Sequence, residues 1–181
     1  MRGHRADVWS LAFAPDDSHL ASGSVDHSVR LWDLHTDWVV ALAGPETDSF
    51  AFAYSPDETL LATLSNTGHV RVWSSATGEL LRTLEVGKVL HQGNLEFAPD
   101  GRRLAVATRG TVQEWDVQTG AQLWVTPAHH ANVRYSPAGT LLFMHDAKTM
   151  YLYDADDHAP LASFPRGELH TRESFAPDDS R

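Results

Sequence analysis

The side chains that stand closest to chemistry in this chain are His4, Ser22, Ser24, Asp26 and Trp32. Ser, His and Asp together are the groups of nucleophilic acyl transfer, in which the imidazole takes the hydroxyl proton and the carboxylate orients the ring. Here an indole ends the set where a substrate should sit, so the same residues also read as a closed hydrogen-bond relay. Two other groupings raise the same question. Asp16-Asp17 is a carboxylate pair of the kind that divides acid and base roles, and His91 with His129-His130 offers imidazoles to a metal. Adjacent strand residues face opposite sides, however, and no Glu or further His holds ligand spacing, so no metal site is predicted. The sequence contains no Gly-rich phosphate loop, no G-x-S-x-G elbow and no H-E-x-x-H. Neither a catalytic centre nor a cofactor is predicted.

The elements that carry these residues repeat. Aromatic-x-Pro recurs at Phe13, Tyr54, Phe97, Tyr135 and Phe175, with the prolines 41, 43, 38 and 40 residues apart. Leu20, Leu61, Leu104 and Leu142 each follow a proline by five residues, and Trp32, Trp73, Trp115 and Tyr153 follow those leucines by 12, 12, 11 and 11. A fixed period near 40 marks a repeat architecture. Within each unit, short apolar runs alternate with turns such as Pro15-Asp16-Asp17 and Pro99-Asp100-Gly101, in which Pro sets φ and the residues after it tolerate tight geometry. Asp16-Asp17 therefore reads as turn chemistry, since its place in the unit is a turn every time.

Gly3-His4 opens the first unit, and Trp32-Asp33 and Trp115-Asp116 close the first and third. With the register above, these residues make the chain resemble the WD40 repeat family over nearly all its length. The resemblance implies an all-β fold, a β-propeller segment of four-stranded antiparallel blades about a channel. One repeat region over 1–181 is expected, with blades near 4–43, 44–86, 87–126 and 127–165 and a partial fifth at 166–181. The family usually closes its ring with more blades, so an incomplete ring is expected, with self-association through open blade edges. The resemblance also implies a structural role for His4, Ser22 or Ser24, Asp26 and Trp32. Later blades depart from it: Pro45, Lys88, Thr126 and Arg166 stand in the place of His4, and Thr67, Arg109 and Ala147 in that of Asp26.

Alternation along the inner strands sorts large residues to one face, such as Leu11 and Phe13 or Phe52 and Tyr54, and small ones to the other, such as Ala12 and Ala14 or Ala51 and Ala53. The bulky side of one blade then nests on the small side of its neighbour. Phe13, Trp73, Phe97, Trp115, Tyr135 and Tyr153 are the predicted blade core. Glu96 and Arg134 break the small face at equivalent places and are expected to lie near each other, toward the channel. For partners, the positions where such propellers bind are Asp7, Trp9, Asp48, Phe50, His91 and His129. Asp with an aromatic twice over suggests a site for a basic peptide, with Trp9 and Phe50 as anchors. Alternation also assigns both rings to the core face, beside Leu11 and Phe52.

Composition narrows the rest. With 14 basic against 24 acidic side chains and a formal charge of −10, a phosphate-tracking surface is not expected, and nucleic acid is excluded as a partner. No apolar run reaches the roughly 20 residues needed to cross a bilayer, so no membrane partner is predicted. The chain has no cysteine and no apolar signal segment at its start, which fits the cytoplasm. The expected function is a non-catalytic scaffold presenting blade loops to a protein or peptide. The alternative is a sensor part of a larger enzyme, such as a bacterial kinase or protease, or a propeller hydrolase of the lactonase type.

Overall fold

The computed structural model describes residues 3–36, 38–42, 49–87, 89, 93–128, 132–146 and 148–165. Among the described residues sixteen strands form four antiparallel sheets, each joining four strands consecutive in the chain. The first sheet holds β1 (Val8–Phe13), β2 (His19–Ser24), β3 (Val29–Asp33) and β4 (Val39–Leu42). The second holds β5 (Ser49–Tyr54), β6 (Leu60–Ser65), β7 (His69–Ser74) and β8 (Leu80–Glu85). The third holds β9 (Asn94–Phe97), β10 (Arg103–Ala107), β11 (Thr111–Asp116) and β12 (Gln122–Pro127). The fourth holds β13 (Asn132–Tyr135), β14 (Leu141–His145), β15 (Thr149–Asp154) and β16 (Pro160–Pro165). The inner strands β1, β5, β9 and β13 contact one another in series, so the sheets stand as successive blades of a β-propeller segment. No helix occurs among the described residues. The expected fifth blade at 166–181 lies outside them.

The Pro-containing turns work as their chemistry dictates. Asp16, Asp57 and Asp100 accept backbone N–H bonds from the residues that follow, as Asx turns do. The third turn residue is left-handed each time, at Asp17 (φ 59°), Glu58 (65°), Gly101 (70°) and Gly139 (75°).

Between blades, large residues meet small ones. In the first joint Phe52 and Tyr54 pack against a buried cluster containing Ala21, Leu31, Leu61 and Trp73. In the second, Phe97 and Leu95 join Ala62, Val72 and Leu104. In the third, Tyr135 and Val133 join Ala98, Ala105 and Ala107. Each aromatic lands over an alanine because the register is the same in every sheet: Ala21 stands opposite Ala12, Ala62 opposite Ala53 and Ala105 opposite Glu96. Area burial and close packing of this kind supply most of the stability of a repeat that cannot bury its own sheet.

One core residue is corrected. Phe13 is 61% exposed, with Leu11 at 60%, because among the described residues no sheet packs on their face of the first sheet. Trp73, Phe97 and Tyr135 are buried, while Trp115 and Tyr153 are partly so. Trp32 lies on the same open face as Phe13 yet is buried, with Gly3 packed so closely that a Cβ there would come within 2.7 Å of its ring. Glu96 and Arg134 do lie close, with Nε 3.9 Å from a carboxylate oxygen, and Glu96 also accepts the Tyr135 backbone N–H at 3.3 Å.

Candidate interaction site

The relay in the first blade is assembled from four segments. The segment before β1 brings His4, β2 brings Ser22, the turn after β2 brings Asp26, and β3 brings Trp32. Trp32 Nε1 donates to Ser22 Oγ at 2.7 Å, Ser22 lies 2.7 Å from His4 Nε2, and His4 Nδ1 lies 3.1 Å from Asp26 Oδ2. The arrangement that satisfies every group has Ser22 donating to Nε2 and the Nδ1 proton donated to Asp26. Burial opposes the charge on Asp26, but bonds from Ser28, the Arg5 backbone N–H and His4 outweigh it and hold its carboxyl well below the usual range. Of the two serines considered, Ser22 is the one in the relay; Ser24 instead donates to the Ala6 carbonyl and accepts the Asp26 N–H. Ser22 is buried and already accepts from the indole, so its hydroxyl is held within the relay. In the second blade only the last link survives, with Trp73 Nε1 donating to Thr63 at 3.1 Å. In the third, Trp115 donates to Gln113.

A different feature is open to a ligand. Val8 pairs with Ser24 and Ser10 with Gly23, so Trp9 has no opposite residue in β2. Ser49 pairs with Ser65 and Ala51 with Leu64, leaving Phe50 in the same position in the next blade. Both are β-bulges, which re-aim a side chain away from its strand's alternation. Trp9 and Phe50 together with Ser24, Val25, His27, Ser49 and Asn66 line a groove of about 140 Å³ across the first joint. Trp9 is 67% exposed and Val25 43%. Asp7 is exposed and is fixed beside the groove, its carbonyl accepting the Val25 N–H at 2.9 Å. Below, Gly23 lets the blades close: a Cβ there would lie 2.6 Å from Phe52 and 2.7 Å from the Ser49 carbonyl.

Among the described residues the later blades show no such bulge. β9 and β13 pair with their neighbours without a bulge and begin at asparagines. Asn94 ties the two inner strands, donating to the Val133 carbonyl at 2.8 Å and accepting the Val133 N–H at 3.0 Å. Of the predicted partner positions, Trp9 and Phe50 line the groove and the Asp7 backbone is tied to Val25 beside it; Asp48, His91 and His129 lie outside the described residues. Alternation alone could not find the groove, because a bulge moves the ring off the face that counting by two assigns. The available signal was Asp two residues before an aromatic at Asp7 and Asp48, just ahead of two inner strands. Among the described residues no group of three or more His, Asp or Glu could hold a metal ion, and no helix is long and apolar enough to cross a membrane.

Comparison with known proteins agrees with this architecture. A family model for the WD domain, G-beta repeat, matches residues 1–33 and 35–74. The chain is 28% identical over 173 residues to the guanine nucleotide-binding protein subunit beta of Arabidopsis thaliana, covering 85% of this chain and 46% of that protein. It is 62% identical over 37 residues to Protein Notchless of Drosophila melanogaster, 20% of this chain and 8% of that one. With Protein HIRA of Zea mays it shares 53% over 34 residues, 19% of this chain and 4% of that one. The chain thus spans less than half the length of these relatives. Among solved structures, Hydrazine Synthase of Kuenenia stuttgartiensis superposes with a TM-score of 0.79 at 19% identity, over 98% of this chain and 56% of that one, a likeness of fold alone.

Proposed function

Because the chain carries WD40 repeats, we propose that it is a non-catalytic interaction scaffold whose groove over the first joint takes an extended basic peptide. The observation that carries this reading is the pair of bulges at Trp9 and Phe50, which line one groove, Trp9 exposed and Phe50 partly buried against the core beneath. An indole face attracts a cationic side chain, the exposed Asp7 adds a carboxylate at the rim, and the formal charge of −10 favours a basic partner at longer range. Aromatic anchors in a groove are the usual centres of binding energy. The seryl hydroxyl that most resembles a nucleophile is spent in a buried relay, so the relay supports folding and leaves recognition to the groove.

The test is fluorescence anisotropy with a labelled Arg- and Lys-rich nonapeptide, against a Glu-rich peptide of equal length. The basic peptide should bind more tightly, and Trp9→Ala should weaken it by about tenfold or more, the loss of about 1.4 kcal/mol, with the melting curve unchanged because Trp9 is exposed. Equal binding of the two peptides, or full affinity in the Trp9→Ala protein, overturns the proposal.

A further inference from the structure

We propose a second interaction surface, a cavity across the second joint that takes a bulky aliphatic side chain from an extended, uncharged segment of another protein. The cavity, of about 410 Å³, is lined by the β5–β6, β9–β10 and β11–β12 turns and the start of β8. That volume is within the range of about 300–1,000 Å³ in which proteins hold ligands. β5 runs from the Trp9 groove, at Ser49 and Phe50, to the turn at Asp57 that lines the cavity, so the two sites lie at opposite ends of the sheets. The floor is the apolar centre of the joint, with Val72 and Val117 buried and Leu60 packed against the same cluster.

Leu81 lines the cavity from a bulge. Val72 pairs with Arg82 and Trp73 with Leu80, so Leu81 has no opposite residue in β7, and it is 49% exposed. The same bulge recurs in the next two outer strands at Leu123, 47% exposed, and Leu161, 41% exposed. Beneath Leu81 the joint stays open, and two positions decide it. In the third joint Arg103, which opens β10 as Leu60 opens β6, donates across to the Ala155 carbonyl. Trp124, in the place of Arg82, stacks there on His158 with ring centres 4.6 Å apart. In the second joint Leu60 is too short to cross, and Arg82 is held at the carbonyls of Gln118 at 2.6 Å and Thr119 at 3.2 Å.

The chemistry of the occupant follows from the charged groups around the cavity, each of which already has a partner. Asp57 accepts the Ser55 hydroxyl at 2.6 Å and that of Thr59 at 3.0 Å. Asp100 accepts the Arg102 and Arg103 backbone N–H groups and Arg103 Nε at 2.9 Å. Arg82 is on its two carbonyls, and Arg102 Nε donates to Asp116 at 2.9 Å. Asp57 and Asp100 balance Arg82 and Arg102, so the lining carries no net charge. A charged ligand meets no net field there and competes with bonds already made, whereas an aliphatic side chain takes the apolar surface of Leu60 and Leu81 out of water. The leucines at the equivalent bulges of the next blades repeat the apolar rim, which suits a partner long enough to span blades, a protein segment rather than a small molecule.

The experiment is fluorescence anisotropy with a labelled nonapeptide of Ser, Gln and Gly that carries two leucines, against the same peptide with both leucines replaced by Ser. It is run at about 50 mM and about 500 mM salt, the second of which screens surface charge. The leucine peptide should bind more tightly than its serine counterpart, with no loss of affinity at the higher salt. Leu81→Ser, on the exposed rim, should weaken it by about fivefold. Leu60→Arg, which installs the side chain that crosses the third joint, should abolish it; should that variant not fold, Leu81→Ser carries the test. Trp9→Ala should leave it unchanged, so this surface and the basic-peptide groove stand or fall separately. Equal binding of the two peptides, affinity lost at high salt or in Trp9→Ala, or full affinity in Leu81→Ser overturns the proposal.

Discussion

Among the described residues the hydroxyl of Tyr54 is buried without a hydrogen-bond partner, whereas that of Tyr135, its equivalent two blades on, donates to Glu114. The cause is a single position in the preceding blade. Leu31 stands opposite Ala21 as Glu114 stands opposite Ala105, so the first joint offers the phenol a methyl group and the third offers it a carboxylate. Burial, with the nearby charge of Asp16, pushes the Tyr54 phenol well above its usual range. An unmet buried hydroxyl costs about 1–3 kcal/mol and a hydrogen bond to a charged group contributes about 1.5–3 kcal/mol. Tyr54→Phe should therefore stabilise the protein by about 1 kcal/mol, and Tyr135→Phe should destabilise it by about 2 kcal/mol. For a chain of this size the two midpoints should differ by roughly 6–12 °C. Thermal and urea unfolding followed by far-ultraviolet circular dichroism would show it. Should Tyr54→Phe prove as damaging as Tyr135→Phe, the argument from position is wrong.

Acid should strip the first and third blades of support. Asp26 is held well below its usual range, and Asp116 is lowered to about 2 by the Thr119 N–H and then by Arg102. Groups lowered on folding stabilise above their unfolded value near 3.8 and lose that contribution as pH falls toward 2, so the melting point should drop between pH 4 and 2, and less steeply in Asp116→Asn. Gly23→Ala should cost about 1–3 kcal/mol by urea unfolding, because its Cβ meets the Ser49 carbonyl, which cannot step aside. Asp17→Gly should gain about 0.5–1 kcal/mol by the same measurement, since φ at Asp17 is 59° where Gly101 and Gly139 serve the same turn.

Much of the fold was legible because its signals are local and repeated. The interval from each proline to its leucine and aromatic fixes strand lengths, and the alternation of large and small residues predicts which faces meet. Phe13 shows where that logic ends. It has the same local pattern as Phe97, and its exposure is decided by the absence of a packed neighbour, which no window around residue 13 contains. The relay was legible as a set, but Ser22 and Ser24 share a strand face, and the choice between them depends on which lies within reach of the Trp32 indole and the His4 ring. The bulges at Trp9 and Phe50 were illegible because pairing shifts are settled across strands. Glu114 drew no notice because a lone Glu in a strand reads as solvent-facing until its partners, 21 and 44 residues away, are seen to converge on it.

The three joints are built to different standards, and the difference follows the proposed work of the chain. The second has an apolar centre, with Phe97 presenting no hydroxyl to Val72, and its polar contacts are met, Arg82 donating to the Gln118 and Thr119 carbonyls and Gln113 to that of Val86. The third meets its buried polar groups with one another, Tyr135 and His158 on Glu114. The first leaves the Tyr54 hydroxyl unmet, and the blade leading into it leaves Arg30 Nε so as well. At its turns the carboxyl of Glu58 is raised by desolvation and by the neighbouring Asp16. Local conflicts of this kind concentrate where a protein gives up stability for function. The groove of Trp9 and Phe50 crosses this same joint. A ligand that spans both blades would add the contacts the joint lacks, so binding should raise the melting point more in the wild type than in a Tyr54→Phe protein whose joint has already been relieved. Equal stabilisation of both by the basic nonapeptide would separate the groove from the joint beneath it.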